Sequence, residues 1–112
     1  MAQAVVRVSN LPERALEAAS VFYGRGLTNI RRSIGPETDT LVLLLPDAPY
    51  DHRAWRCAMV QDLARALAPI RVNAIAGGSD EAIAATLAWL ERAPGVTGQL
   101  LKLDGKAVAD LV

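Results

Sequence analysis

The sequence lacks a second cysteine, an excess of either charge and any long hydrophobic run. Cys57 is the one cysteine, so no disulfide forms within the chain, and its helical setting predicts a small buried apolar residue. Twelve basic residues balance twelve acidic ones. This balance removes the long-range field that attracts nucleic acid or an anionic membrane, so we expect neither kind of partner.

The longest mostly apolar run, residues 82–90, is far shorter than the roughly 18 residues that a membrane span needs. Residues 1–9 lack the charged start and apolar block of a signal peptide. These two features predict a cytoplasmic protein. Hydrophobic residues make up 52% of the 112 residues, which indicates one compact domain with one core.

Runs of β-branched and apolar residues alternate with stretches of helical periodicity. Strands are predicted at residues 4–9, 40–45, 70–76 and 98–103, and helices at 13–34, 51–68 and from Ser79 to about 92. The alternation predicts an α/β, Rossmann-like domain, with a parallel sheet of about four strands and three helices. Consecutive right-handed crossovers place all helices on one face unless the strand order reverses, so the pattern leaves two or three layers open.

The first predicted helix contains two glycines, yet its apolar stripe keeps the same phase through both of them. We therefore expect one long helix, straight or bent at Gly24 and Gly26, rather than two short ones. Asn10 or Ser9 is expected to cap it, with Pro12 in its first turn. Gly26 lies on the apolar side, where a missing side chain lets another backbone approach.

The second predicted helix has more apolar surface than one sheet can cover. Trp55, Met59 and Ala66 flank its core stripe, and an exposed tryptophan beside a methionine predicts an interaction surface. Trp89 lies at the margin of the stripe on the third helix. The tail that contains Val108 and Leu111 is too apolar to be left in water.

Two phrases in the last third of the chain resemble the C-terminal half of the short-chain dehydrogenase/reductase (SDR) family. They read IRVNAIAGG at residues 70–78 and VTGQLLKLDG at residues 96–105. The resemblance implies that the four strands match the last four of the family's seven-stranded sheet. Residues 1–112 then form a single truncated SDR-like domain. Lys106 departs from the family pattern, in which a second glycine follows Gly105.

The resemblance also implies chemistry whose residues are missing here. Family members hold NAD(P) at a glycine-rich turn and use a tyrosine, a lysine and a serine as catalytic groups. Tyr50 is followed four places on by Ala54, and the other register puts proline and arginine in the two positions. The strand that should end in the serine ends in leucine and proline. We therefore predict no catalytic residue and no cofactor.

Parallel sheets bind ligands at the carboxyl ends of their strands, which defines a possible ligand pocket. Its candidate residues are Asn10, Asp47, Tyr50, His52, Gly77, Gly78 and Ser79. The two glycines stand at a strand-to-helix turn, where backbone amides could meet an anion, or where the turn simply needs glycine. His52, Cys57 and the nearby aspartates match no standard metal-ligand spacing, so no metal is predicted.

The first hypothesis for function is a non-catalytic assembly module. In the family, the helices that match residues 13–34 and 51–68 pair with their copies in a four-helix dimer interface, and the last strand and tail make a second contact. The candidate interface residues are Phe22, Gly26, Trp55, Met59, Ala66, Trp89, Val108 and Leu111. The edge of the first strand is guarded by Arg7 alone, which is weak protection against pairing.

This hypothesis predicts a homo-oligomer, a dimer or a tetramer, or docking onto a full-length SDR or a missing nucleotide-binding subunit. The alternative is a small-molecule or NAD(P)-binding, oxidoreductase-like protein, or one half of a split reductase. A remnant reading frame without a selected role is the third interpretation.

Overall fold

The computed structural model describes residues 2–103, and their four strands form one parallel sheet. The strands are β1 (Ala2–Arg7), β2 (Thr38–Leu45), β3 (Arg71–Gly77) and β4 (Leu100–Leu103). They lie in the order β1-β2-β3-β4, and every neighbouring pair is parallel. The predicted Rossmann-like α/β class is confirmed. Among the described residues, no helix is long and apolar enough to cross a membrane.

Helical segments connect successive strands. They are α1 (Ala15–Val21), a π turn (Phe22–Gly26), α2 (Leu27–Ser33), a 3-10 turn (Tyr50–His52), α3 (Arg53–Ala66) and α4 (Asp80–Glu91). The first three segments join through residues with right-handed helical backbone angles, so they form one continuous helix, as predicted. The two glycines coincide with the π turn, where the helix widens locally.

The predicted start of the first helix is wrong. The helix begins at Ala15 after Arg14, whose side chain makes no capping hydrogen bond. Asn10 instead adopts a φ of 60°, in the left-handed region that asparagine tolerates better than most residues. The chain therefore turns at Asn10 and continues as a loop. This loop forms one wall of the cleft described below.

Phe22 is packed inside the domain, and Gly26 is half-buried beside it. Phe22 is only 1% exposed, and its ring centroid lies 5.7 Å from that of Trp55. A Cβ added at Gly26 would meet the Phe22 ring at 3.1 Å. The glycine therefore makes room for an aromatic ring of its own helix, which corrects the expectation that another backbone approaches there.

Each face of the sheet has its own apolar core. Leu41, Leu43 and Leu45 of β2 pack with residues of the first helix and α3. Val42 and Leu44 point to the other face and pack with residues of α4. All five are buried, so the uninterrupted apolar run of β2 marks a strand covered on both sides.

The connection from β3 to β4 has the opposite hand to the other two connections. The first helix and α3 lie on one face and α4 on the other, although the strand order advances in one direction throughout. Nearly all such crossovers are right-handed, so a mixture of hands needs specific support. Arg71 supplies part of it, because its Nη1 donates to the carbonyls of Leu90 (3.1 Å) and Ala93 (2.8 Å). These bonds hold the end of α4 against β3.

Candidate functional site

The loops that follow β1 and β2 enclose a cavity at the carboxyl end of the sheet, which we name the main cleft. Its volume is about 1100 Å³, and it is lined by residues 9–17, 46–49, 51, 52 and 56. The structure places three candidate pocket residues along this cleft, namely Asn10, Asp47 and His52. The cleft is thus formed where a parallel sheet is expected to bind a ligand.

His52 is buried and links two walls of the main cleft. Its Nε2 lies 2.7 Å from the backbone oxygen of Glu13, and its Nδ1 accepts a hydrogen bond from Trp55 Nε1 at 3.3 Å. These partners fit the tautomer that carries the proton on Nε2, because a carbonyl only accepts and an indole only donates. Both ring nitrogens are engaged, so His52 ties the loop after β1 to the start of α3.

Arg56 is the least expected residue of the site, because it is a charged side chain that is only 4% exposed. Its Nη1 donates to Pro46 O at 2.8 Å, and its guanidinium carbon lies 5.7 Å from the ring centroid of Trp55. Its Nε is buried and has no acceptor among residues 2–103. Burial lowers the pKa of Arg56, and the charge of Asp47 partly opposes this.

Sequence reasoning missed Arg56, although the pattern held a signal. Positions 56, 60, 63 and 67 follow helical spacing, which places Arg56 on the core stripe with Val60, Leu63 and Leu67. A charged residue within an apolar stripe is rarely fully buried without a reason.

A smaller cavity of about 250 Å³, which we name the side pocket, lies between the start of α3 and strands β3 and β4. It is lined by Asp47, Ala48, Pro49, Tyr50, His52, Arg53, Arg56, Ala76, Leu100 and Lys102. Asp47, His52 and Arg56 border both cavities. Tyr50 joins the site here, and its ring is 85% exposed.

The glycine turn after β3 is filled by β4. Gly77 and Gly78 have φ values of 72° and 93°. A Cβ at Gly78 would lie 2.8 Å from a methyl carbon of Leu103, and one at Gly77 would lie 3.1 Å from Leu103 O. Ser79 caps α4, since its Oγ accepts from Ala82 N at 3.1 Å. Packing therefore accounts for this turn, and Gly77, Gly78 and Ser79 line neither cavity.

A family model described as a short chain dehydrogenase-like protein, SDR-like, matches residues 6–103. The chain belongs to this SDR-like family. The match includes both phrases on which the sequence resemblance depends, apart from Asp104 and Gly105, and it extends to residue 6 in β1. No curated protein and no solved structure matches the chain significantly.

Members of a dinucleotide-binding fold need a glycine-rich turn that opens a helix N-terminus to the pyrophosphate. The turns of this SDR-like chain after β1 and β2 contain no glycine, and Leu103 fills the turn after β3. The residues present at these three turns therefore do not fit a nicotinamide dinucleotide.

The glycine turn after β3 allows a stability prediction for the SDR-like chain. Gly78→Ala is expected to lower the free energy of unfolding by about 2 kcal/mol, because the new methyl group strains the backbone and displaces Leu103. Urea denaturation measures the change. Gly24→Ala is the matched control, since nothing lies within 4 Å of a Cβ there. It should raise stability by about 0.5 kcal/mol, and an equal loss in both variants would contradict the packing argument.

Two candidate interface residues are wrong, because the first helix packs beside α3 and covers it. Met59 is fully buried, and Phe22 is 1% exposed. Trp55 is half-buried against Phe22. Within the apolar patch on α3, the chain itself thus covers Met59 fully and Trp55 in part.

Other interface candidates remain on the surface. Ala66 is exposed, and Trp89 is 49% exposed on α4. Val108 and Leu111 lie outside the described residues. Within residues 2–103, no three His, Cys, Asp or Glu side chains come close enough together to hold a metal ion. Cys57 is half-buried on α3.

Proposed function

We propose that this SDR-like chain is a non-catalytic assembly module that forms a homodimer through β1. The observation that carries the proposal is the outer edge of β1, which pairs with no other strand among residues 2–103. Its six residues, AQAVVR, hold one charge, at Arg7. Val5 is 42% exposed on the face that α4 covers. An apolar, weakly guarded edge is a template for another strand.

The sequence of β1 suits antiparallel pairing with its own copy about a two-fold axis at Val5. Residues directly opposite each other in antiparallel strands point to the same face. In this register Val5 meets Val5, Ala4 meets Val6, and Gln3 meets Arg7. The two Arg7 side chains lie at opposite ends, so no like charges meet, and the exposed Val5 side chains become buried. The two sheets then form one continuous sheet.

The polar groups of the main cleft support the non-catalytic part of the proposal. His52 uses both ring nitrogens in contacts within the chain, and Arg56 is bonded to the carbonyl of Pro46. Neither His52 nor Arg56 is thus arranged as a general base. We expect the purified chain to leave NADH and NADPH unoxidised when it is incubated with aldehydes and ketones. Measurable carbonyl reduction would overturn this part.

The dimer is tested by Val5→Lys, which places two ammonium groups opposite each other at the proposed axis. We expect wild-type protein to sediment as a dimer at micromolar concentration and the variant to dissociate roughly tenfold more readily. Val5 is partly exposed in the monomer, so the substitution should leave the fold intact.

Matched controls separate strand pairing from a helical interface. Val5→Thr retains a β-branched side chain and should stay dimeric. Leu16→Lys changes the outer face of α1, where Leu16 is 85% exposed, and should also stay dimeric. A monomeric wild type, or a dimer that is broken by Leu16→Lys but not by Val5→Lys, would refute pairing through β1.

A further inference from the structure

The side pocket collects positive charge around a buried guanidinium. Arg53, Arg56 and Lys102 line it, against the single carboxylate of Asp47. Arg56 is 96% removed from solvent, yet no carboxylate among residues 2–103 lies within ion-pair distance of it. The one ion pair within residues 2–103 joins Arg65 and Asp62 at the far end of α3. A buried charge is costly unless it is paired, so this pocket favours an anion.

The lining of the side pocket also includes apolar residues. Ala48, Pro49, Ala76 and Leu100 contribute hydrocarbon surface. The volume of about 250 Å³ lies below the range of pockets that hold drug-sized molecules. A ligand that fits both the charged and the apolar lining residues is small and carries a negative group on an apolar body.

A guanidinium is geometrically matched to a carboxylate, because its planar fork donates parallel hydrogen bonds to two oxygens. The Nη1 of Arg56 already donates one hydrogen bond, to Pro46 O. The long side chains of Arg53 and Lys102 are exposed, so they are free to move toward an anion that enters from solvent. One carboxylate oxygen of Asp47 accepts a hydrogen bond from Ala48 N at 3.1 Å. This bond holds the negative charge of Asp47 at the exposed side of the pocket.

We propose that the side pocket binds a small organic carboxylate, with Arg56 as the principal anion partner, Arg53 and Lys102 as outer cations, and Ala76 and Leu100 as apolar wall. The site goes beyond the assembly proposal and does not depend on it. It lies beside β3 and β4, whereas the proposed dimer contact is β1 at the opposite edge of the sheet. The dimer-breaking variant Val5→Lys should therefore bind the same ligand unchanged.

The test is a titration of the whole chain with benzoate, followed through backbone amide chemical shifts. We expect a Kd of about 1 mM, with the largest shifts around Arg53, Ala76 and Leu100. Benzyl alcohol, which has the same body without the charge, should bind at least tenfold more weakly. The absence of saturable shifts with benzoate would overturn the proposal.

Charge variants assign the binding to the side pocket. Arg56→Gln should weaken benzoate binding about tenfold, and Lys102→Gln and Arg53→Gln about threefold each. The two outer variants keep the test valid if Arg56→Gln fails to fold, because both residues are exposed. Arg65→Gln, at the far end of α3, should bind as wild type.

Two results would count against the assignment. If all four variants bind benzoate alike, benzoate does not occupy the side pocket. Inorganic phosphate should bind more weakly than benzoate, because it lacks an apolar body. If phosphate binds as well as benzoate, the apolar wall plays no part and the carboxylate assignment is wrong.

Discussion

Phe22→Ala is expected to lower the free energy of unfolding by about 4 kcal/mol, the largest effect among the substitutions proposed for this chain. Phe22 is 1% exposed and joins the core between the first helix, β2 and α3. Its ring also contacts Trp55 and Tyr23, with centroids 5.7 Å away in both cases. Alanine would leave a cavity under Trp55 and beside Gly26, because these neighbours are held by the helices that carry them.

Chemical denaturation followed by circular dichroism measures this loss, and Leu16→Ala is the matched control. Leu16 lies on the same helix but is 85% exposed, so its truncation should change stability by less than about 0.5 kcal/mol. If Phe22 formed a subunit interface instead, its truncation would mainly shift the dimer equilibrium. A stable Phe22→Ala monomer would therefore contradict the core assignment.

Phe22 and Met59 were predicted to lie in an interface but are buried within the chain. Helical periodicity does not show which neighbour covers an apolar surface. The pattern correctly indicated that α3 has two apolar surfaces, of which the sheet covers one. It did not identify the second cover, because this depends on how α1 and α3 lie side by side. Burial raises the pKa of Tyr23, and Asp62 of α3 adds to the shift, as expected for two adjacent helices.

The sequence left the number of layers undetermined for a related reason. The strand pattern predicted the order of elements along the chain but not the faces on which the helices lie. The face on which α4 lies depends on the hand of one connection, which local propensity does not determine. Side chains such as Arg71 and Asn73 hold α4 on its face of the sheet, because they bond to the end of α4 and to the loop between α4 and β4.

The candidate site was predicted in part for equally specific reasons. The rule that ligands meet the carboxyl ends of parallel strands placed Asn10, Asp47 and His52 along one cleft. It also included Gly77, Gly78 and Ser79, which line neither cavity, because it takes no account of the chain that packs against each turn. Leu103, a residue of the next strand, fills that space.

Asn73→Leu is expected to lower the free energy of unfolding by about 3 kcal/mol, because two methyl groups, which are larger and cannot form hydrogen bonds, replace the amide oxygen and nitrogen. Asn73 is 1% exposed. Its Nδ2 donates to Val96 O at 3.0 Å, and its Oδ1 accepts from Gln99 N at 3.1 Å. Leucine would leave both backbone groups without these partners. The loss should be concentrated at β4, which has only four residues.

Hydrogen exchange can locate this effect while denaturation measures its size. The amides of Gly98 and Ala74, which donate to Val72 O and Gln99 O, should exchange faster in Asn73→Leu, whereas amides in α3 should change little. Gln99→Ala is the control, because its exposed side chain makes one bond, at 3.3 Å, to Thr97 O. It should cost less than about 0.5 kcal/mol. Equal protection of Gly98 in both variants would show that Asn73 does not hold β4.

Asn73 also explains why the two phrases of the family resemblance predicted the fold. It belongs to the phrase at residues 70–78, and both of its hydrogen-bond partners belong to the phrase at residues 96–105. Thr97 Oγ1 adds a third bond by accepting from Val72 N at 3.1 Å. The two phrases therefore meet in space and fix the position of β4, which closes the glycine turn through Leu103. Their residue types are required by this junction, so the resemblance follows from the assembly of the sheet rather than from chemistry at a reacting group.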